Sequence, residues 1–366
     1  MSEPLHLTQP RILFYAVNGL GLGHVTRLLA IARAIRAQRD GAQILFVTTT
    51  EADSVIHREG FASVKIPSRG VIQSSRLRPS TYNKLAHVVV MNTVAAFNPA
   101  ILVADTFPAG ATQELLSTLS WQMRRVFVYR AQHAERAADE FFQNALSHYD
   151  LAIAPHDEGS EKIPVPDGLR IAWTGPIMIR EVSDALSRDE ARRRLGLPSE
   201  SRLLYVTVGG GGDDEMASAE PAIFDAARAA GWTVVAPDPP LRVSMERGAI
   251  AIADHRVSYY PIAECMNGFD AAVSAAGYNT VHELLHFGVP SLLIPRPRGL
   301  DDQFARARTA ADAGAALVSS LDPVELEAKL RTLASDDLRA KMADSGRKLA
   351  PQSGAGIAAQ EILGLL

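Results

Sequence analysis

Cysteine, net charge and long apolar runs are all scarce in this sequence. One cysteine in 366 residues excludes an internal disulfide framework, and Cys265 is interpreted as a helix-packing residue. The formal net charge of −4 gives no indication of a nucleic-acid partner. No run approaches the roughly 18 apolar residues that a membrane-spanning helix needs. The expected location is therefore cytoplasmic, with peripheral contact at the inner membrane face left open.

Two further absences concern the start of the chain and metal ligands. Residues 1–10 have neither the basic nor the apolar stretch of a signal peptide, so a disordered leader is predicted. No D-x-D triplet, the usual ligand set for a metal-bridged diphosphate, occurs in the chain. No metal and no other cofactor is therefore expected.

The stretch 271–307 predicts a binding site for a phosphate group. Its apolar start, 271–273, is expected to be a short buried strand, and the small residues that follow would let a ligand approach the backbone. A helix is expected to begin after them, and its unpaired N–H groups and its dipole favour an anion. The predicted diphosphate contacts here are Ala276, Gly277, Asn279 and Thr280. Glu283 lies on the same helix face and can reach the hydroxyl pair of a ribose.

The rest of this stretch carries two polar residues towards the same ligand. Gly288 and Pro290 end the helix, and 291–294 is the next predicted strand. The loop after that strand contains Asp302 and Gln303. Because ligand loops in an open parallel sheet follow the carboxyl ends of strands, both side chains are expected beside the bound ligand.

The order of these motifs resembles the donor-binding half of GT-B glycosyltransferases, both the MurG-like family and the UDP-glucuronosyl and plant-type family. The motifs are small-G-x-x-T-x-x-E, G-x-P, I-P and D-Q-F-x-x-A. The resemblance implies that Glu283 holds the ribose and that Asp302 with Gln303 holds the donor sugar. It also implies an α/β fold of the GT-B class, in which two Rossmann-like, doubly wound parallel-sheet domains face each other across a cleft.

The N-terminal part begins with a predicted strand, glycine turn, helix and strand. A buried strand at 11–17 leads into the G-x-G-x-G-H turn of 18–24, an amphipathic helix follows at 25–39, and 43–48 is the second strand. A nicotinamide-dinucleotide site is disfavoured. The turn is not G-x-G-x-x-G, and the threonines at 48–50 stand where a ribose-binding acid would be expected.

His24 ends this glycine turn and is a candidate general base for an acceptor hydroxyl, since histidine can take up a proton near neutral pH. Asp105 follows a strand predicted at 101–104 and is expected to orient His24 and stabilise its imidazolium. The pair resembles the His–Asp pair of plant-type transferases. The turn resembles the first glycine loop of MurG-like transferases and of PseG-type nucleotide-sugar hydrolases. The expected acceptor-side residues are Gly23, Arg27, Arg130 and His133.

Residues 60–104 contain five basic residues and no acidic one. The basic residues are Lys65, Arg69, Arg76, Arg78 and Lys84. This composition fits an ordinary solvated loop as well as a surface for an anionic acceptor or an anionic lipid.

Two domains are predicted, an acceptor-binding domain at 11–178 and an NDP-sugar-binding domain at 179–350. A C-terminal helix at 351–366 is expected to pack back on the first domain, as in GT-B proteins. The T-G-x-P sequence within 173–177 resembles the exit of MurG-like N-terminal domains.

The predicted second domain offers a further glycine loop and a base-adjacent segment. Gly210 and Gly211 are expected to contact the diphosphate, although Asp213 and Asp214 would repel it unless they point away or cap a helix. The residues expected beside the nucleotide base are Tyr259 and Tyr260.

Together these features predict an inverting, metal-independent glycosyltransferase. It would move a sugar from an NDP-sugar, of UDP or dTDP type, to a small-molecule or lipid-linked acceptor, an anionic one included. The alternatives are a PseG-type nucleotide-sugar hydrolase, in which His24 activates water, and a sugar-nucleotide 2-epimerase. A catalytically silent sugar-nucleotide sensor would have no need of His24. The sequence leaves the oligomeric state open.

Overall fold

The computed structural model describes residues 9–17, 22–68, 72–73, 75–207, 214–238, 252–297 and 302–366, with backbone only at 214–217. The chain forms two compact units, unit 1 (residues 1–177 and 354–366) and unit 2 (residues 178–353). Of the predicted leader, residues 1–8 lie outside the described residues. None of the helices in the described ranges has the length and apolarity that crossing a membrane requires.

Unit 1 is built on a parallel sheet. Its described strands are β1 (Arg11–Ala16), β2 (Gln43–Thr48), β3 (Ala62–Lys65), β4 (Ile101–Asp105), β5 (Arg124–Val128), β6 (Leu151–Ala154) and β7 (Arg170–Trp173). They pair in the order β3-β2-β1-β4-β5-β6-β7. Every position of β4 is buried, because helices cover both faces of such a sheet. The strand order reverses between β1 and β4, and ligands of doubly wound sheets bind at the carboxyl ends of strands at such a switch point.

Helices connect these strands. Those before β7 are α1 (Gly23–Gln38), α2 (Ser54–Arg58), α3 (Pro79–Phe97), α4 (Ala134–Ala137) and α5 (Glu140–Leu146). Helix α3 begins with Pro79, whose missing N–H costs nothing at a first helical position, and ends at Asn98 in the left-handed conformation. The core of unit 1 includes Tyr15, Phe127 and Tyr129, all fully buried.

Unit 2 repeats the same architecture. Its described strands are β8 (Leu203–Thr207), β9 (Thr233–Pro237), β10 (His255–Val257), β11 (Ala271–Ser274), β12 (Ser291–Leu293) and β13 (Ala316–Val318). The order β10-β9-β8-β11-β12-β13 reverses between β8 and β11. The helices are α6 (Arg188–Leu195), α7 (Asp214–Ala229), α8 (Tyr278–Phe287), α9 (Gln303–Asp312), α10 (Pro323–Leu333) and α11 (Asp336–Leu349). The prediction of two doubly wound parallel-sheet domains is confirmed.

The last helix, α12 (Ala355–Leu363), belongs to unit 1 and packs on α1. Gln38 at the end of α1 donates to the carbonyl oxygen of Gly356 at 2.8 Å, and Arg170 pairs with Glu361 at 2.5 Å. Gly354 precedes the helix, and a Cβ there would lie 2.7 Å from the carbonyl oxygen of Gly175. Only glycine allows this close backbone approach.

Candidate functional site

The first cluster lies at the switch point of unit 1. His24 is in the first turn of α1, at the carboxyl end of β1, and its side chain is 26% exposed. Asp105 ends the neighbouring strand β4 and is fully buried, with Oδ2 at 3.4 Å from Nδ1 of His24. The hydroxyl oxygen of Thr106 lies 3.1 Å from the same ring nitrogen. The structure therefore brings the predicted pair together and adds Thr106.

The hydroxyl of Thr106 fixes the tautomer of His24. It donates its single proton to Oδ1 of Asp105 at 2.6 Å, so towards His24 it can act only as an acceptor. Nδ1 of His24 consequently carries a hydrogen, and in the neutral ring Nε2 is the basic nitrogen. Thr106 reaches this position with a φ of 65°, a left-handed conformation that is costly for a threonine.

Arg27 supplies the charge that keeps Asp105 ionised. Its Nη1 donates to both oxygens of Asp105, at 2.9 and 3.2 Å, and the side chain is 2% exposed. Burial alone would raise the pKa of Asp105, but the Arg27 charge and the contacts with His24 and Thr106 lower it to about 2. The sequence predicts an acceptor-facing Arg27, whereas the structure places it beneath the site. A buried carboxylate needs a counter-charge, and Arg27 is three residues from His24 on the same helix.

The other acceptor-side candidates also follow strands at the carboxyl edge of the unit 1 sheet. Gly23 is the first residue of α1, and Arg130 and His133 follow β5, with Arg130 half-buried and His133 exposed. Sequence reasoning missed His156, which follows β6 and is 7% exposed. Its Nε2 accepts from the backbone N–H of Ala131 at 2.9 Å. Its place directly after a predicted strand is the signal that could have identified it.

A cavity of about 480 Å³ lies beside the loop that follows Thr106. Its apolar lining includes Phe107, Phe141 and Phe142, and Phe141 is 46% exposed. Arg136 also lines it, with its guanidinium carbon 4.9 Å from the centre of the Phe107 ring. The Nε of Arg136 is buried and has no hydrogen-bond partner in the described part of the chain. The cavity therefore combines aromatic walls with one cation and two carboxylates, Glu135 and Asp139.

The second cluster lies at the switch point of unit 2, where β11 leads into α8. Gly277 is the N-cap of α8, so no side chain caps the first N–H groups of the helix. A Cβ built on Gly277 would have no described atom within 4 Å, which shows open space at this end. Asn279 and Thr280 lie in the first turn and are half-buried, whereas Ala276 is fully buried. The arrangement suits an anion.

Glu283 follows one turn later on α8 and is half-buried. Burial raises its pKa to about 7, although the charge of His286 acts in the opposite direction. No residue in the described ranges donates a hydrogen bond to its carboxylate. Glu283 is therefore a carboxylate without the donors that would stabilise its charge, and a ribose hydroxyl pair would supply them.

The predicted sugar-binding pair divides into two different roles. Asp302 is the N-cap of α9, and its Oδ1 accepts from the N–H of Ala305 at 2.9 Å. Gln303 is 5% exposed, and its Oε1 accepts from the N–H of Arg296 at 3.0 Å. Its Nε2 donates to no described residue, so Gln303 has a donor to offer and Asp302 already has a structural function.

Arg306 is a residue of the site that sequence reasoning missed. It lies three residues after Gln303 on α9, and its Nη1 donates to the carbonyl oxygen of Ala276 at 2.7 Å. Its guanidinium carbon is 5.2 Å from the ring centre of Tyr278. A cation therefore lies at the amino-terminal end of α8. The i, i+3 spacing from Gln303 was the signal available in the sequence.

The remaining predicted donor residues form two sets. Tyr259 follows β10, and its hydroxyl donates to Glu264 at 2.7 Å. Tyr260 is the next residue and is half-buried. Gly210 and Gly211 lie outside the described residues.

Residues 244–355 match the family model described as the glycosyltransferase family 28 C-terminal domain. Over 387 aligned residues the chain is 28% identical to a UDP-N-acetylglucosamine–N-acetylmuramyl-(pentapeptide) pyrophosphoryl-undecaprenol N-acetylglucosamine transferase of Salinibacter ruber. The alignment covers 97% of each chain.

Solved structures share the fold at low identity. The spinosyn forosaminyltransferase SpnP superposes with a TM-score of 0.65 at 16% identity, covering 98% of this chain and 100% of that one. MurG of Acinetobacter baumannii superposes with a TM-score of 0.57 at 15% identity, covering 97% and 99%.

Proposed function

Because this chain is a MurG-like glycosyltransferase of the GT-B fold, we propose that it is an inverting enzyme in which His24 is the general base. The proposal depends on which groups donate and which accept hydrogen bonds around His24. Thr106 and Asp105 hold Nδ1 in its protonated form, which makes Nε2 the proton acceptor.

The reaction is a single displacement at the anomeric carbon. The acceptor oxygen forms the new bond while its proton passes to Nε2 of His24, and the bond from the sugar to the diphosphate breaks. Asp105, ionised at any physiological pH because its pKa is about 2, stabilises the imidazolium that results. One displacement inverts the anomeric centre.

Unit 2 binds the donor in this proposal. The first N–H groups of α8 and the guanidinium of Arg306 stabilise the diphosphate as it leaves. Glu283 accepts hydrogen bonds from the ribose hydroxyls, and the Nε2 of Gln303 donates to a sugar hydroxyl. The name of the Salinibacter relative specifies UDP-N-acetylglucosamine and a lipid-linked acceptor, so these are the first substrates to test.

The acceptor belongs to unit 1. The aromatic cavity beside Thr106 fits an apolar portion of the acceptor. Exposed apolar side chains on and beside α3 support peripheral contact with a membrane, since basic residues accompany them. The apolar residues are Leu77, Leu85, Val88 and Leu116. The basic residues are Arg76, Arg78 and Lys84.

The stoichiometry of donor consumption tests the proposal against hydrolysis. Purified protein is incubated with UDP-N-acetylglucosamine and with dTDP-glucose, with and without undecaprenyl-linked and aromatic acceptors, and the products are identified by mass spectrometry. A transferase consumes donor slowly alone, quickly with its acceptor, and yields one glycosylated product per NDP. Rapid acceptor-free release of sugar or sugar phosphate that depends on His24 would replace the transferase assignment with a hydrolase.

A further inference from the structure

His286 is a buried histidine on α8, one turn after Glu283, and the proposed transfer does not use it. Its side chain is 1% exposed. Nδ1 lies 2.8 Å from the carbonyl oxygen of Ala350, and Nε2 lies 3.4 Å from Oε2 of Glu181. One imidazole ring therefore connects the helix of the donor site to two segments far away in the sequence.

The two neighbours determine the protonation of the ring. A carbonyl oxygen only accepts hydrogen bonds, so Nδ1 must carry a hydrogen. Nε2 is buried without a hydrogen-bond partner among the described residues, and the Glu181 carboxylate at ion-pair distance is the group that stabilises a proton on it. Burial by itself lowers the pKa of His286, but the Glu181 carboxylate and the Ala350 carbonyl raise it above its ordinary value.

Two charged groups of the elements packed on α8 are paired elsewhere, and Asp337, Lys341 and Lys348 on α11 are exposed. Arg347 on α11 forms an ion pair with Asp344 at 2.7 Å. Glu264, in the 3-10 segment Ile262–Gly268 that packs on α8, pairs with Arg180 at 2.6 Å. Among the described residues, the carboxylates that act on His286 are Glu181 and Glu283.

Glu181 also holds the two ends of unit 2 together. Its Oε1 accepts from the N–H of Ser353 at 3.2 Å. Ser353 in turn donates its hydroxyl to the carbonyl oxygen of Met178 at 3.0 Å. Met178 and Ser353 are the first and last residues of unit 2. His286 thus ties α8 to the points where the chain enters and leaves this unit.

We propose that His286 is a positioning residue, a buried cation that keeps Glu283 ionised for a ribose hydroxyl pair and anchors α8 to both ends of unit 2. The inference rests on the proposed donor site. Without the cation, the Glu283 carboxyl takes up a proton at a higher pH and offers fewer acceptor positions to the nucleotide. Nucleotide affinity should then depend on His286 near neutral pH and much less at alkaline pH.

The protonation state is measured directly by NMR of the full chain labelled with ¹⁵N-histidine. His286→Asn identifies the His286 signals, and it retains an amide donor near the position of Nδ1. At pH 7 both ring nitrogens of His286 should show imidazolium shifts. In Glu181→Gln, which loses the facing charge, Nε2 should be unprotonated at the same pH. A neutral His286 in the wild-type protein at pH 7 would overturn the proposal.

Calorimetric binding of UDP and dTDP at pH 7 and pH 9 tests the effect on Glu283. If His286→Asn moves the Glu283 titration up by about one pH unit, affinity at pH 7 falls about fivefold and at pH 9 is nearly unchanged. Glu181→Gln should also lower nucleotide affinity at pH 7 more than at pH 9. The double variant should bind nucleotide no more weakly than His286→Asn. His148→Asn, an exposed position, is the matched control.

The outcomes separate this proposal from the proposed function. A merely structural role would lower affinity equally at both pH values, which would overturn the role of His286 as a cation. No change at either pH would overturn it as well. If Glu283→Gln leaves nucleotide affinity intact, the proposed ribose contact fails instead, and the NMR result for His286 is unaffected.

Discussion

Asp105 in unit 1 and Glu283 in unit 2 both lie near the switch point of a doubly wound sheet, Asp105 at the end of β4 and Glu283 on the helix that follows β11. Asp105 is surrounded by a buried arginine, a histidine and a hydroxyl, and its pKa is lowered to about 2. Glu283 has no such donors among the described residues, and burial raises its pKa to about 7. A carboxylate that must stay charged throughout a reaction has its partners built in. A carboxylate that binds a ligand leaves those positions to the ligand.

The largest effect is expected from removing the proton acceptor of unit 1. His24→Ala should lower kcat by about 10²–10⁴-fold while leaving nucleotide affinity unchanged, because general-base catalysis contributes this order. Asp105→Asn should lower kcat by a similar factor or a smaller one. Steady-state kinetics of the double variant should match His24→Ala, since the two groups act as one unit. Additive losses would show that Asp105 acts independently of His24, and His148→Ala serves as the control.

The buried ion pair is expected to affect stability more than any surface pair. Arg27→Leu leaves Asp105 without its counter-charge and should reduce the free energy of unfolding by about 3–5 kcal/mol, measured by denaturant titration. Arg331→Leu is the control at a surface pair. It breaks the pair with Glu327, in which the two side chains are 60% and 39% exposed, and should cost about 0–1 kcal/mol.

The stability lost in Arg27→Leu should depend on pH in a defined direction. The folded pKa of Asp105, about 2, lies below its ordinary value of 3.8, so the ion pair stabilises the fold fully above the ordinary value. That contribution is lost as the pH falls through about 2. The gap between the wild-type protein and Arg27→Leu should therefore narrow from about pH 4 downwards. An equal cost for Arg27→Leu and Arg331→Leu would mean that the burial of the Arg27–Asp105 pair has no energetic consequence.

Local sequence patterns predicted the elements of both units but not all of the contacts around Asp105 and Glu283. Periodicity and turn residues predicted both sheets, α8 and the Gly288 helix end, because these depend on local apolar patterns. The pairing of His24 with Asp105 was predicted because both follow strands at the carboxyl edge of a sheet and because they resemble the His–Asp pair of plant-type transferases. The position of Arg27 was not predicted, because an arginine in an amphipathic helix is ordinarily solvated. Its burial depends on Asp105, 78 residues away, as the contact between them shows.

The same limit applies to unit 2. Asp302 and Gln303 are adjacent in the sequence, and no local pattern distinguishes the helix cap from the side chain that keeps a donor. His286 looks like one more residue of an amphipathic helix. Its two neighbours, Glu181 and Ala350, are remote in the sequence, so only the tertiary structure shows that the ring is buried beside a carboxylate and a carbonyl oxygen.

Glu283 should give a moderate loss of binding with a distinctive pH profile. Glu283→Gln should weaken UDP binding at pH 9 by about 1–3 kcal/mol, the range for a charge-assisted hydrogen bond. Ribose hydroxyls donate to the ionised form, so wild-type affinity should rise with pH through about 7 and then level off. The variant should bind with little pH dependence. Parallel calorimetric profiles for the two proteins would remove Glu283 from the ribose.

The smallest effect on activity is expected from removing divalent metal ions with EDTA. In unit 1 the cation of Arg27 is paired with Asp105, whereas unit 2 has positive groups at the amino-terminal end of α8, where the leaving diphosphate is proposed to bind. These groups are the first N–H groups of α8, which carry about half a unit charge, and the guanidinium of Arg306. If they neutralise the diphosphate, initial rates in EDTA should equal those in magnesium, and Arg306→Met should lower kcat in both alike. A loss of activity in EDTA that magnesium or manganese restores would assign that neutralisation to a metal ion.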